Sequence, residues 1–193
     1  DSAAAPDELA VMSAQQAQPK VMLILAHASD ESFDFGSLLP YLCGGDAALV
    51  FLSSESRQAQ QQAIEAMYSL GSRTQPVFGS FQYYRTNLEL KKMYGLFEKT
   101  DVTNWLIQLL RRYQPQTLIT HAADGEHDDG MSRLVAAHVL IAVSQAADES
   151  KEYVSERQYG VWQVERVYQH LETGETPLYD TGAPLSAFGG KSA

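Results

Sequence analysis

The chain has 193 residues, long enough for one domain with a substantial core, and its 45% apolar and 20% charged residues are an ordinary balance for a globular protein. A formal net charge of -10 argues against a nucleic-acid or anionic-membrane surface, both of which need a basic patch, although a few local arginines would suffice for an anionic substrate. No apolar run reaches membrane-span length, and Cys43 is the only cysteine, which excludes an intrachain disulfide.

Residues 1–19 are rich in Ala, Gln and Ser and end at Pro19, so a flexible N-terminal arm is expected ahead of a single domain over 20–193. The opening Asp1-Ser2-Ala3-Ala4-Ala5-Pro6 lacks an initiator Met, which suits a mature secreted or periplasmic chain as well as a trimmed one, so the compartment stays open. Residues 20–26 form the first strand: the unbroken apolar run from Val21 to Leu25 marks a strand of a parallel sheet buried on both faces. It stops at His27, and a polar loop leads to a short helix over 36–43. Ala47 to Leu52 is a second apolar strand, and the polar Ser53-Ser54-Glu55-Ser56 loop caps the next helix.

That helix covers Gln58 to Leu70, with Ala63, Ile64, Met67 and Leu70 at helical spacing and Gly71 at its C-terminal end. Gln75 to Phe78 is a short strand. Residues 79–100 are irregular and aromatic, and Phe81, Tyr83, Tyr84, Tyr94 and Phe97 suit either packing or the lining of a groove. A helix follows from Asp101, read as its N-cap, to Tyr113. Gln116 to Thr120 is a strand ending at His121, and a strongly polar loop runs to Gly130. Met131 to Ala147 is a helix with a Leu134, Val135, His138, Ile141, Ala142 stripe. Gly160 to Tyr168 alternates like a strand, and the tail is loop-rich. Strands alternating with helices indicate an α/β fold, Rossmann-like and layered, with a mostly parallel central sheet flanked by helices. No G-x-G-x-x-G follows the first strand, so a dinucleotide site has no support.

Most of the His and Asp density lies in two loops, 27–34 and 121–130, each following an apolar strand. In a parallel sheet such loops open at one edge, where α/β proteins place ligands. His27 and Asp30 would there meet His121, Asp124, Glu126, His127, Asp128 and Asp129. Mixed His and carboxylate ligation suits zinc, and a metal-bound water with a carboxylate base would hydrolyse an amide or ester. Hydrogen-bonded structural histidines and a solvated acidic loop are the plainer alternative. Ser54, Glu55 and Arg57 sit where they could touch a ligand, with helix capping as the simpler role. A Ser29–His27 hydrolase lacks a nucleophile-elbow glycine pattern, and Cys43 has no evident activating partner.

These residues give the chain its resemblance to the PIG-L/LmbE family of zinc-dependent de-N-acetylases. Ala26-His27-Ala28-Ser29-Asp30-Glu31 is similar to the family's A-H-P-D-D-E. Thr120-His121 and Gly125-Glu126 are similar to its T-H and G-E-Y-G-H-x-x-H. Val167-Tyr168-Gln169-His170 resembles V-Y-x-H, and Pro184 to Ala193 resembles P-L-S-A-F-G-G-K-T-A. The resemblance implies a Rossmann-like fold and deacetylation of an N-acetylglucosamine-type substrate. It also implies metal ligands at His27, Asp30 and a second-motif His, with a general base where Ser29 stands.

Ser29 departs from that pattern, since a hydroxyl accepts a proton poorly near neutral pH and general-base catalysis is worth about 10²–10⁴-fold. Aligning Gly125-Glu126 to the family's G-E puts Asp129 at the first His and Ser132 at the ligand His; aligning His127 instead puts Gly130 at the ligand. The family's Arg-x-x-Glu falls near Ala59 and Gln62, with Arg57 out of register. The expectation is a de-N-acetylase-type domain that has lost catalysis and serves as a binding or structural module. The alternative is an active deacetylase with substituted ligands, in which Asp129 or His127 completes a zinc site and Asp128 or Glu126 acts as base. A glycan, a glycoconjugate or a protein is the expected partner. Because the family continues from its last motif into another helix, the chain reads as a C-terminally truncated fragment.

Overall fold

Val21–Leu25 (β1) is the middle of the molecule because nothing in it has to reach water: Met22, Leu23, Ile24 and Leu25 are fully buried, as is the following Ala26. The computed structural model describes residues 19–43, 47–54, 56–72, 74–84, 87–171, 180, 182–185 and 189–192. The expected N-terminal arm, the Gly44-Gly45 pair, Glu55, Pro177 and Ser186 to Phe188 of the last motif therefore fall outside the described residues.

After β1 come α1 (Asp30–Phe33), α2 (Leu39–Cys43), β2 (Ala47–Ser54), α3 (Arg57–Ser69), β3 (Val77–Gln82), α4 (Leu90–Met93) and α5 (Lys99–Tyr113). The chain continues with β4 (Thr117–Thr120), α6 (Gly130–Ala146), α7 (Tyr153–Tyr159) and β5 (Arg166–Gln169). The five strands form one parallel sheet in the order β3-β2-β1-β4-β5. β2 and β4 flank β1 nearly level with it, Leu25 opposite Phe51 and Ile24 opposite Thr120, so all three strands end at one edge.

Alternation along each strand sorts side chains onto two faces. Met22, Ile24, Val50 and Leu52 pack against Leu106, Ile107 and Leu110 of α5 and Leu134, Val135 and Val139 of α6. Leu23, Leu25, Leu49 and Phe51 pack against Leu39, Leu42 and Cys43 of α2 and Ala63 and Met67 of α3. Each such Leu or Ile, fully buried, contributes about 1.5–3 kcal/mol. This three-layer α/β arrangement is the one expected from the sequence. Among the described residues, no helix is long and apolar enough to cross a membrane.

Several boundaries differ from the expectation. The helix expected over 36–43 begins at Leu39, and a separate turn of helix occupies Asp30–Phe33. β2 runs on to Ser54, and Ser56 caps α3 by accepting the Ala59 amide at 3.2 Å. α5 begins at Lys99 with Glu98 as its N-cap; Asp101 lies inside the first turn, where its charge still complements the helix dipole. Ile141 leaves the expected stripe and is exposed, because α6 turns that edge to solvent. The strand expected from Gly160 begins only at Arg166, since Gly160, at φ 76°, ends the helix α7 and Trp162 ties the segment back through Ala146 and Pro115.

Candidate functional site

β1 lies where the strand order reverses: the chain first builds β2 and β3 on one side of it, then crosses to β4 and β5 on the other. The crevice beyond the carboxyl ends of two such strands is the usual ligand position of an open α/β sheet. A cavity of about 730 Å³ opens there. The loop after β1 contributes His27, Ser29, Asp30 and Asp34; the segment after β3 contributes Tyr83 and Asn87; the loop after β4 and the start of α6 contribute Glu126, His127, Asp128, Asp129 and Ser132.

Local backbone conformations aim these groups. Ser29 holds φ 99°, its amide donating to Glu31 Oε2 at 2.7 Å, so the chain turns sharply from strand into α1. In the second loop His127 and Asp128 are both left-handed, at φ 48° and 57°. Arg133 clamps that loop by donating to the Asp124 carbonyl at 2.7 Å and to Asp128 Oδ1 at 2.7 Å. Gly125, at φ 83°, must be glycine, because a Cβ there would lie 2.5 Å from Arg133 Cγ. Asp129 caps α6, its Oδ2 accepting from the Ser132 amide at 2.8 Å and the Ser132 hydroxyl at 3.0 Å.

Carboxylates and imidazoles alternate through the site. His27 Nδ1 lies 2.7 Å from Asp30 Oδ1, and Asp30 Oδ2 lies 3.3 Å from His121 Nε2 and accepts the His27 amide at 3.1 Å. His121 Nδ1 is 3.7 Å from Glu126 Oε1, which also accepts the Ala122 amide and lies 2.9 Å from His170 Nδ1. Burial favours the neutral form of Asp30, but His121 and His27 outweigh it and hold the carboxyl at about 2. Burial is likewise outweighed at Glu126 by His121, the Ala122 amide and His170, which bring it to about 2.

Opposing demands meet at the buried His121. Burial disfavours its cation, the flanking Asp30 and Glu126 raise its proton affinity overall, and the Ala26 amide, 2.9 Å from Nε2, pulls the other way by requiring a lone pair there. His127 Nε2 lies 2.6 Å from Asp34 Oδ1; the Asp34 carboxyl is nevertheless raised, by burial first and by the nearby Glu126 and Asp30 charges.

Of the residues singled out from sequence, His27, Ser29, Asp30, His127, Asp128 and Asp129 all reach the cavity. Arg57 does not: it is the exposed first residue of α3. Of the two positions considered for the third ligand, Ser132 lines the cavity, whereas Gly130 packs so closely that a Cβ would lie 2.8 Å from the Leu88 carbonyl oxygen. Asp129 Oδ2 lies 3.8 Å from His27 Nε2.

The two carboxylates thus flank opposite nitrogens of one ring. Zinc ligands sit about 2.0–2.2 Å from the ion, so one ion cannot serve both edges of an imidazole. Among the described residues no three His, Cys, Asp or Glu side chains are grouped to hold a metal ion.

Asp34 and Asn87 are not among the residues the sequence singles out, whereas Tyr83 is one of the aromatics expected to pack or to line a groove, and it lines the cavity. The aromatic content of 79–100 was the available signal for Tyr83, whose ring meets His27 edge-on with centroids 5.1 Å apart. Phe81, Tyr84, Tyr94 and Phe97 from the same segment pack against the core instead.

No known family profile matches the chain, and no curated protein matches it in sequence. Solved structures do match its fold. A conserved protein from Thermus thermophilus, TT1542, superposes with a TM-score of 0.58 at 16% identity, over 84% of this chain and 70% of that one. GalB, the 4-carboxy-2-hydroxymuconate hydratase from Pseudomonas putida, gives 0.57 at 18% identity, over 77% and 64%. The N,N'-diacetylchitobiose deacetylase from Pyrococcus horikoshii gives 0.55 at 12% identity, over 81% and 61%. The chain therefore spans about two thirds of the length of these neighbours, and with them it has a PIG-L/LmbE-like fold.

Proposed function

We propose that this chain is a de-N-acetylase-type domain that binds a glycan or glycoconjugate in the β1/β4 cavity and has lost metal-dependent hydrolysis. One observation carries the reading: the family's two first-motif ligand positions, His27 and Asp30, pair with each other, and the second-motif acid Asp129 faces the opposite edge of the His27 ring. The proton-accepting groups support it. Ser29 offers only a hydroxyl, Asp128 is engaged by Arg133, and Glu126, held at about 2, is a weak base. A 730 Å³ cavity with carboxylates and one tyrosine is of small-ligand size and suits a polyhydroxylated ring.

Metal analysis of the purified chain, combined with acetate release from N-acetylglucosamine conjugates, tests this. The expected result is substoichiometric zinc and no acetate. Stoichiometric zinc together with acetate release would overturn it.

The reading as an active enzyme with substituted ligands draws on Asp129, 3.8 Å from His27 Nε2. In that case His27→Ala and Asp30→Ala each abolish metal binding and activity; variants that keep both would sink it. The fold itself does not choose a reaction, since one neighbour is a deacetylase and another a hydratase.

A further inference from the structure

Helix α6 buries one side in the core and leaves the other in solvent. Leu134, Val135, Val139 and Ala142 pack into the core, while Leu140 is 47% exposed and Ile141 39% exposed. From Leu134 to Ala147 the sequence holds no Asp, Glu, Lys or Arg. A surface helix ordinarily turns charged residues outward, and a helix that is apolar on both sides is ordinarily covered. The exposed side is also a regular stripe. Ala137, Leu140, Ile141 and Ser144 follow at i, i+3, i+4 and i+7, the spacing with which one helix packs along another. Ala137 and Ser144 are small and bracket the two aliphatic side chains, so a second helix can come close.

Charge selects the occupant. At a net charge of -10, two copies of the chain repel one another on approach, and least so where a face is uncharged. The charged residues that bound the stripe have opposite signs. Arg133 lies seven residues before Leu140, and Asp148 lies seven residues after Ile141, just past the C-cap Ala147. A second copy running antiparallel therefore sets Arg133 toward the partner's Asp148 at both ends, and it opposes the two helix dipoles. A parallel copy would set like charges together. Arg133 already engages Asp128, and Asp148 Oδ1 takes the Ser150 amide, so these charges orient the pairing more than they tighten it. We propose that two copies of this chain associate through α6, antiparallel about a two-fold axis, with Leu140 and Ile141 at the centre of the contact. The contact is isologous, the same face meeting itself. One helix face is a small interface, so the dimer is a reversible one.

Sedimentation equilibrium of the full chain, carried up to about 1 mM, the weak end of specific binding, tests the proposal. A monomer–dimer equilibrium is expected. Leu140→Glu and Ile141→Glu are made singly; both place a good helix former at an exposed position, and circular dichroism confirms folding. Each should weaken the dimer about tenfold, the scale of one buried aliphatic side chain. The direction of pairing is read by cross-linking. In the antiparallel pair Ala137 faces the partner's Ser144, so Ala137→Cys and Ser144→Cys chains, mixed and oxidised, should join to each other in preference to themselves. Cys43 is buried and does not compete. A chain that stays monomeric throughout, a dimer untouched by both Glu variants, or cross-linking with no preference for the mixed pair overturns the inference.

Discussion

At the scale of single residues, the environment decides what each titratable group does. His138, fully enclosed between α5 and α6, shares a 2.7 Å hydrogen bond with Thr103 Oγ1, and burial lowers its proton affinity, with Lys99 adding to the effect. It is a packing residue whose surroundings favour the neutral ring. Cys43 is buried beside Met67, and burial pushes its thiol to about 11. Its alkylation at mildly alkaline pH should therefore be slow in the native protein and rapid in denaturant, as a timed iodoacetamide reaction would read; equal rates would contradict the placement.

Glu126 contributes in the opposite direction. Its folded-state value near 2 lies below the usual 4.5, so its stabilisation is fully present above about pH 4.5 and is lost as the pH falls towards 2. Urea denaturation across that window should show a shallower acid-side loss for Glu126→Gln than for the parent chain. Parallel profiles would show that the contacts to His121, His170 and Ala122 carry no linkage.

At the scale of elements, Arg111 shows how helices α5, α6 and α7 are held as one layer. The fully buried guanidinium donates to the carbonyls of Ala146 at 3.0 Å, Lys151 at 2.9 Å, Glu152 at 2.9 Å and Asp148 at 2.8 Å, and to Ser155 Oγ at 3.0 Å. These carbonyls end α6 and lead into α7, so one side chain from α5 closes the terminus of its neighbour. Arg111→Met would strand several of them, and a loss of about 2–4 kcal/mol is expected in denaturant titrations. Arg111→Lys should recover little, because an ammonium has three donors and no planar fork. Asp129 plays the corresponding part at the other end of α6, where the same carboxylate is both helix cap and cavity wall.

At the scale of the whole molecule, the strand order puts the two polar loops side by side. β1 and β4 are far apart in sequence, yet their parallel register brings Ala26 and His121 within a 2.9 Å hydrogen bond. Every strand points the same way, so both loops leave at one edge, and the helices on either face wall the crevice. The acidic cavity wall and a net charge of -10 act together to disfavour anions at this edge.

Much of this was legible in the sequence, because the strongest signals are local. An unbroken apolar run can only be satisfied by a strand buried on both faces, and 3.6-residue spacing can only bury one helical stripe. Hence β1, β2, α3, α5, α6 and the layered α/β class were recognisable, as were His27, Asp30, His127, Asp128 and Asp129 as neighbours at one strand edge. Short elements such as α1 and α7 were not, since four to seven residues carry too little periodicity and are held by tertiary contacts such as those of Arg111.

The sequence by itself determined the fold class and the two polar loops that follow β1 and β4. Only the tertiary structure decided that Asp30 and Asp129 face opposite nitrogens of His27, that Gly130 is packed against Leu88 while Ser132 is open, and that Arg57 stands apart. The reason is physical: residue type states which bonds a side chain can make, but loop conformations at positive φ and the register of distant strands set which partner is within reach.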